Sequence, residues 1–226
     1  MAQTTHAASV YELPPKKDAL ELRYMRRRYR YAKRLLDIVA TILLLLLAFP
    51  IFLVIAICVR VTSKGPVLYR ATRIGLGGKP FEFLKFRSMY MDADCRLADL
   101  AGLNEKDGPI FKMKHDPRVT KIGRLLRKYS LDELPQLLHV LTGEMSLVGP
   151  RPQLPREVEC YNDRCMIRLS VKPGITCYWQ VMGRSTLSFE EWMELDRRYV
   201  TEMSFWTDLT ILMRTPMAVI RGSGAY

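Results

Sequence analysis

The longest apolar run in the chain extends from Leu35 to Val59 and holds one proline, Pro50, near its middle. Residues 38 to 59 as a single helix would be about 33 Å long, enough to cross a hydrocarbon core of about 30 Å. Charge points to a different path. Lys33 and Arg34 precede the run, and Arg60, Lys64, Arg70 and Arg73 follow it. Both flanks therefore carry the bias of a cytoplasmic face, which predicts a segment that enters and leaves by one side. Pro50 is the natural place for the turn, because it removes one backbone hydrogen bond and bumps the carbonyl of Leu46. A full span stays open as the alternative, since a proline kink is also tolerated in ordinary membrane helices.

After the turn signal Lys64-Gly65-Pro66, short strand-like pieces around Gly75, Gly77 and Gly78 predict a β-hairpin ending near Phe86. The glycine spacing is not that of a phosphate-binding loop, and no helical pattern follows it. Residues 91 to 109 read as a polar, acidic loop or short helix. From Asp116 onward helical patterns dominate, punctuated at Gly143, Gly149-Pro150, Pro152, Pro155 and Pro173-Gly174. Two helices suit either a membrane surface or, equally, the core of a small soluble domain: one with Val119, Ile122, Leu125 and Leu126 on one face, the other with Phe205, Trp206, Leu209, Leu212 and Met213. The predicted fold is α+β and mainly helical. It comprises a flexible tail (1–22), a basic flank with the membrane helix (23–63) and a compact membrane-associated domain (64–226).

Composition narrows the possibilities. The chain has 226 residues, with 35 Lys+Arg against 23 Asp+Glu and a net charge of +12. At 49% hydrophobic and 26% charged residues it is neither disordered nor a protein of many spans. Five cysteines without a C-x-x-C pattern suggest reduced structural thiols rather than a disulfide framework or a zinc site. The apolar run begins too late and is too long for a secretory signal. Between Arg23 and Arg34, basic residues alternate with aromatic ones, a pattern that also suits nucleic acid. Here it abuts an apolar helix, so an anionic leaflet is the expected partner and nucleic acid is not.

The stretch with the most chemistry is Ser130-Leu131-Asp132-Glu133-Leu134-Pro135-Gln136. One reading is a helix start, with Ser130 and Glu133 as a capping box. The other is a reactive site: adjacent carboxylates near Arg124, Arg127, Lys128 and Arg151 would attract a phosphate-bearing ligand and suit a Mg²⁺ ion shared with its phosphates.

Those residues belong to a larger pattern. The ordered blocks are Lys33-Arg34-x-x-Asp37, the apolar run with Pro50, Lys85-Phe86-Arg87-Ser88-Met89, Asp116-Pro117-Arg118-Val119-Thr120 and Ser130 to Gln136. Met145 to Pro152, Lys172-Pro173-Gly174-Ile175-Thr176 and Gln180-Val181-x-Gly183-Arg184 complete the series. Together they resemble the bacterial sugar transferases, the monotopic phosphoglycosyl transferases, from about residue 30 to the end. The resemblance implies transfer of a hexose-1-phosphate from a UDP-sugar donor to undecaprenyl phosphate with release of UMP, at the cytoplasmic face of the bacterial inner membrane. It implies Asp132 as the nucleophile of a covalent aspartyl phosphosugar, and Glu133 as its acidic neighbour placing Mg²⁺ or the acceptor. Lys85, Arg127, Arg151 and Arg184 are implied near the phosphates or nucleotide, Asp208 as a further functional acid, and an oligomer is compatible with it.

Three features depart from the family pattern. Phe49 stands where relatives often carry Ser before the proline, and Cys177-Tyr178 where a glycine and a bulky residue are common. The chain begins shortly before the membrane segment and so resembles the minimal catalytic unit. Its ending, Ile220 to Tyr226, is like that of relatives in exopolysaccharide and O-antigen synthesis that use glucose or galactose. The alternative from another class is a membrane-tethered binding protein for acidic lipid or nucleic acid.

Overall fold

In the computed structural model, residues 27–222 and Gly224 are described; the tail 1–22 and the first basic residues, 23–26, lie outside the described residues. Helix α1, Arg27–Thr62, is 36 residues long and contains Pro50. It is long and apolar enough to cross a membrane. The helix continues through the proline instead of ending there, because one missing hydrogen bond bends a helix without terminating it when the flanking turns are strong. Its side chains from Val39 to Ile57 are largely exposed, including Leu46, Leu47 and Phe49. Leaving that much apolar surface in water would forgo on the order of 20 kcal/mol of burial energy, so a lipid environment is its natural partner.

One face of α1 nevertheless docks on the rest of the chain at both ends. Near the start, the Asp37 carboxylate accepts from Ser146 Oγ and from the Leu147 amide, each at 3.0 Å. The Arg34 guanidinium donates to the Val140 and Leu141 carbonyls. Near the other end, Ile55 and Val59 are buried with Phe86 and Leu126. Leu134 packs against both groups, so the two docking zones adjoin in one body.

The hairpin forms where the strand pieces around the glycine turn predict it. Strand β1, Leu68–Ile74, pairs antiparallel with β2, Pro80–Phe86, and Gly75 to Gly78 make the turn. A 3₁₀ segment, Cys95–Leu103, occupies the acidic loop. Helix α2, Lys121–Lys128, is capped by the Thr120 side chain, which accepts from the Gly123 amide at 2.9 Å. Its apolar face divides: Leu126 is buried against α1 whereas Leu125 is exposed. Residues 131–136 form a 3₁₀ turn leading into α3, Leu137–Thr142.

The periodicity gave no warning of a second sheet. Strand β3, Ser146–Val148, runs parallel to β4, Gly174–Thr176, in a two-stranded ladder. Three residues are too few for an alternation to register against the surrounding helices. Gly149 and Gly174 cross backbone to backbone: a Cβ on Gly174 would lie 2.1 Å from the Gly149 nitrogen. Five helices complete the part of the chain that frames the site. Short α4, Pro155–Val158, and α5, Asp163–Met166, lead through β4 to α6, Tyr178–Met182. Then α7, Phe189–Glu202, opens with a Ser188–Glu191 capping box, and α8, Phe205–Arg221, follows. The main core gathers Phe83, Val140, Met145, Tyr199 and Ile211 from these pieces. On α8, Trp206 and Met213 are exposed and Asp208 and Ile211 buried, so the aromatic face does point outward.

Candidate active site

Six of the residues singled out in the sequence line one cleft of about 470 Å³: Lys85, Arg127, Asp132, Glu133, Arg151 and Arg184. Apart from the adjacent Asp132 and Glu133, which share one 3₁₀ turn, each arrives from a different part of the chain. Lys85 is the penultimate residue of β2, Arg127 lies in the last turn of α2, and Arg151 follows β3 by way of the glycine crossing. Ser130 adopts a left-handed conformation, φ 54°, and makes no capping bond. That geometry costs a non-glycine residue about 1–2 kcal/mol and turns the chain so that Asp132 faces the cleft. The capping-box reading is thereby replaced: Glu133 pairs with Arg151 instead of reaching back to Ser130. The blocks on either side serve the same end. Gly123 lies so close to Ser88 that a Cβ would be 1.9 Å from its carbonyl oxygen, and Arg127 Nε donates to Ser88 Oγ at 2.9 Å. Asp116 and Arg118 form a buried ion pair at 2.7 Å just before the α2 cap.

The two carboxylates differ in state. Arg151 grips both oxygens of Glu133, Nη1 at 2.9 Å and Nη2 closer still, and Lys85 Nζ is 3.8 Å from the same group. Burial would raise Glu133, but Arg151 and Lys85 outweigh it and hold the carboxyl down to about 2. For Asp132 the balance is reversed: burial pushes it up, Lys85 opposes this and the Glu133 charge adds to it. A carboxylate raised in this way is a better nucleophile than an ordinary one, while its neighbour stays ionised. Burial lowers Lys85 to about 8, with Arg151 adding to the effect. Lys112, a cleft residue that sequence reasoning missed, is lowered to about 7 by burial and by Arg151 and Lys106.

Arg184 is also left-handed, φ 52°, and its Nη1 is buried with no hydrogen-bond partner among the described residues. Trp179 and Trp192 stack at 4.4 Å along the same cleft. Neither tryptophan carries a motif that could have marked it in advance.

Asp208 and Pro50 are not part of the cleft. Asp208 sits beneath α1, accepting from Lys33 Nζ at 2.8 Å, from Tyr29 Oη at 2.8 Å and from Tyr199 Oη at 2.7 Å. Pro50 lies on the exposed side of α1. Among the described residues, no three His, Cys, Asp or Glu side chains converge to hold a metal. Two adjacent carboxylates among cationic groups fit a Mg²⁺ that arrives with a diphosphate, since this ion uses one or two carboxylates plus substrate phosphates.

A cleft that sets a buried, raised carboxylate beside an ionised one among lysines and arginines suits a phosphate-bearing ligand. The family model described as bacterial sugar transferase matches residues 28–222. The chain is 44% identical over 209 residues to the undecaprenyl-phosphate galactose phosphotransferase of Salmonella typhimurium, covering 89% of this chain and 43% of the relative. It is 42% identical over 205 residues to the UDP-glucose:undecaprenyl-phosphate glucose-1-phosphate transferase of Escherichia coli, covering 87% and 42%. It is 41% identical over 199 residues to the exopolysaccharide production protein ExoY of Rhizobium meliloti, covering 86% and 88%. The chain thus spans less than half the length of the first two relatives and most of the third. Matched along nearly all its described length, the chain belongs to the bacterial sugar transferase family.

Proposed function

We propose that the protein transfers a hexose-1-phosphate, glucose or galactose, from a UDP-sugar to undecaprenyl phosphate, releasing UMP and starting an exopolysaccharide, capsule or O-antigen chain on its lipid carrier. The observation that carries this reading is the unequal carboxylate pair, Asp132 raised by burial and Glu133 held by Arg151, inside a cleft of cationic side chains.

In the proposed reaction an Asp132 oxygen attacks the sugar-linked phosphorus of the donor, and the bond from that phosphorus to the bridging oxygen breaks. UMP leaves, its new negative charge met by Arg151 and Arg184. An oxygen of the lipid phosphate then attacks the same phosphorus, breaks the aspartyl bond and restores the carboxylate. Two in-line displacements at one site let two large substrates use the same cleft in turn. Lys85 and Arg127 hold the transferring phosphoryl oxygens, and Arg151 grips a phosphate bidentately once Glu133 releases it. When Mg²⁺ is bound it neutralises phosphate charge, with Asp132 and Glu133 as the residues that would hold it.

The re-entrant path of α1 belongs to this reading. Its support is that Asp37 and Val59, at opposite ends of the apolar run, dock on one body. In a straight span these residues would be separated by a hydrocarbon core of about 30 Å, which one water-facing domain cannot straddle. The catalytic domain, roughly 64–226, then sits on the cytoplasmic face beside the lipid phosphate.

The test is incubation of the purified protein with Mg²⁺ and UDP-glucose or UDP-galactose labelled in the sugar, without acceptor. Label should remain on the wild-type protein and not on Asp132→Asn. Turnover of wild type with undecaprenyl phosphate but no labelling would remove the covalent step, and activity in Asp132→Asn would remove the nucleophile.

A further inference from the structure

We propose that one face of helix α7 is a positioning device for the two arginines that receive the nucleotide diphosphate, acting through Trp192 and Asp196. This rests on the reading of the cleft as a UDP-sugar site. Trp192, Asp196 and Tyr199 are spaced i, i+4 and i+7, so they share one face of α7, and all three are buried. Each ends at a backbone carbonyl beside the cleft, directly or through one intermediary. Trp192 Nε1 donates to the Arg184 carbonyl at 2.8 Å. Asp196 forms an ion pair with Arg168 Nη2 at 2.8 Å, and the same guanidinium donates to the Arg151 carbonyl at 2.8 Å. The Tyr199 hydroxyl lies 3.1 Å from the Val148 carbonyl, three residues before Arg151.

None of the three residues carries a charge into the cleft, so their contribution is geometric. Arg184 is held in a left-handed conformation that is costly for a non-glycine residue, and the Trp192 bond is made to the carbonyl of that very residue. The outcome is a guanidinium whose Nη1 has no partner among the described residues. Arg168 is itself buried; Tyr161 Oη accepts from its Nη1 at 2.6 Å, and Asp196 supplies the counter-charge that offsets burying a guanidinium beneath Arg151. One rigid helix thus sets the spacing of two phosphate-binding side chains that come from distant loops. Strain at a functional residue persists only where its surroundings over-determine it, and α7 supplies that constraint.

The test compares wild type, Trp192→Phe and Asp196→Asn as full-length protein in nanodiscs. It reads donor KM, kcat, inhibition by UMP and thermal unfolding. Loss of one well-placed hydrogen bond should raise donor KM and weaken UMP inhibition by about tenfold in Trp192→Phe, with kcat changed less than about threefold. The decisive measurement is the same substitution in an Arg184→Ala background, where its effect on KM should vanish because the side chain it aims is gone. Likewise Asp196→Asn should raise KM, and Asp196→Glu should recover part of the loss. An undiminished Trp192→Phe effect in the Arg184→Ala background, or an unchanged KM in Trp192→Phe, overturns the proposal. Should Asp196→Asn yield too little folded protein, Trp192→Phe alone decides. Wild type that never releases UMP from UDP-glucose or UDP-galactose with undecaprenyl phosphate overturns the reading of the cleft, and the positioning role with it.

Discussion

Arg151 and Glu133 face each other fork to fork across the cleft, with both carboxylate oxygens accepting from the two terminal guanidinium nitrogens. Neither residue is free for a ligand in this arrangement. A diphosphate entering the cleft must therefore exchange with Glu133 for Arg151, and the released carboxylate becomes available beside Asp132.

Exchange of that kind requires a planar fork on one side and a charge on the other. Arg151→Lys keeps the charge but cannot bind bidentately, so UMP release should fall by about a hundredfold, as on removal of one oriented donor at a transferring group. Glu133→Gln leaves a half-buried guanidinium uncompensated and should lower stability by about 2 kcal/mol, since the pair is not fully shielded from water. Thermal unfolding and UMP-release assays check the two. Equal activity of Arg151→Lys and wild type would mean that the fork does not grip phosphate.

The pH profile should be asymmetric in origin. In the proposed reaction the acid-side requirement is ionised Asp132, whose raised pKa means that activity should be lost as pH falls through it. Glu133, held at about 2, does not titrate in the working range, so the acid limb belongs to Asp132. On the alkaline side the proposed phosphate grip needs cationic Lys85, lowered to about 8, and Lys112, lowered to about 7, loses its charge in the same cleft. Donor kcat/KM should decline as pH rises through that interval. Lys85→Arg and Lys112→Arg, assayed separately, should each move the decline upward in proportion to the residue's share. A limb unmoved by either replacement would assign it elsewhere.

Beneath α1, Lys33 and Asp208 form a buried ion pair with Tyr29 and Tyr199 around it. Asp208→Asn leaves the Lys33 ammonium buried against the Val148 carbonyl without its counter-ion. The expected cost is about 3 kcal/mol, with little change in the donor KM of the protein that remains folded, because Asp208 lies outside the cleft. The double variant Lys33→Met, Asp208→Leu removes both charges and should be more stable than Asp208→Asn alone. Thermal unfolding in one detergent, with KM measured below the transition, separates this structural role from a catalytic one.

The sequence carried the site further than the scaffold. Asp132 and Glu133 were legible as adjacent carboxylates near Arg127 and Arg151, whereas Lys85 and Arg184 were marked only by resemblance to the sugar transferase blocks; the cleft brings all six together. Asp208 was legible as an acid but not as a partner of Lys33, since 175 residues separate them along the chain. Trp192 and Asp196 left no mark. An aromatic and an acid four apart on a helix are ordinary, and only the positions of the Arg184 and Arg151 carbonyls give them meaning. The second sheet was hidden for the same reason: β3 and β4 are defined by their partner across the chain and by two glycines in contact.

That glycine contact makes a prediction of its own. A methyl on Gly174 would sit 2.1 Å from the Gly149 nitrogen and 2.5 Å from its oxygen, all backbone, so relief requires the two strands to part. Overpacking without a flexible neighbour to yield costs about 3 kcal/mol, which for a domain of this size lowers Tm by roughly 6–12 °C. Parting the strands also displaces Arg151, two residues beyond Gly149, so donor KM should rise as well. Gly102→Ala is the matched control: a methyl there meets nothing within 4 Å and the backbone φ is not positive. It should leave both Tm and KM unchanged or raise Tm slightly, by restricting the unfolded chain. If Gly174→Ala behaves like Gly102→Ala, the close crossing of β3 and β4 is not what fixes Arg151 in the cleft.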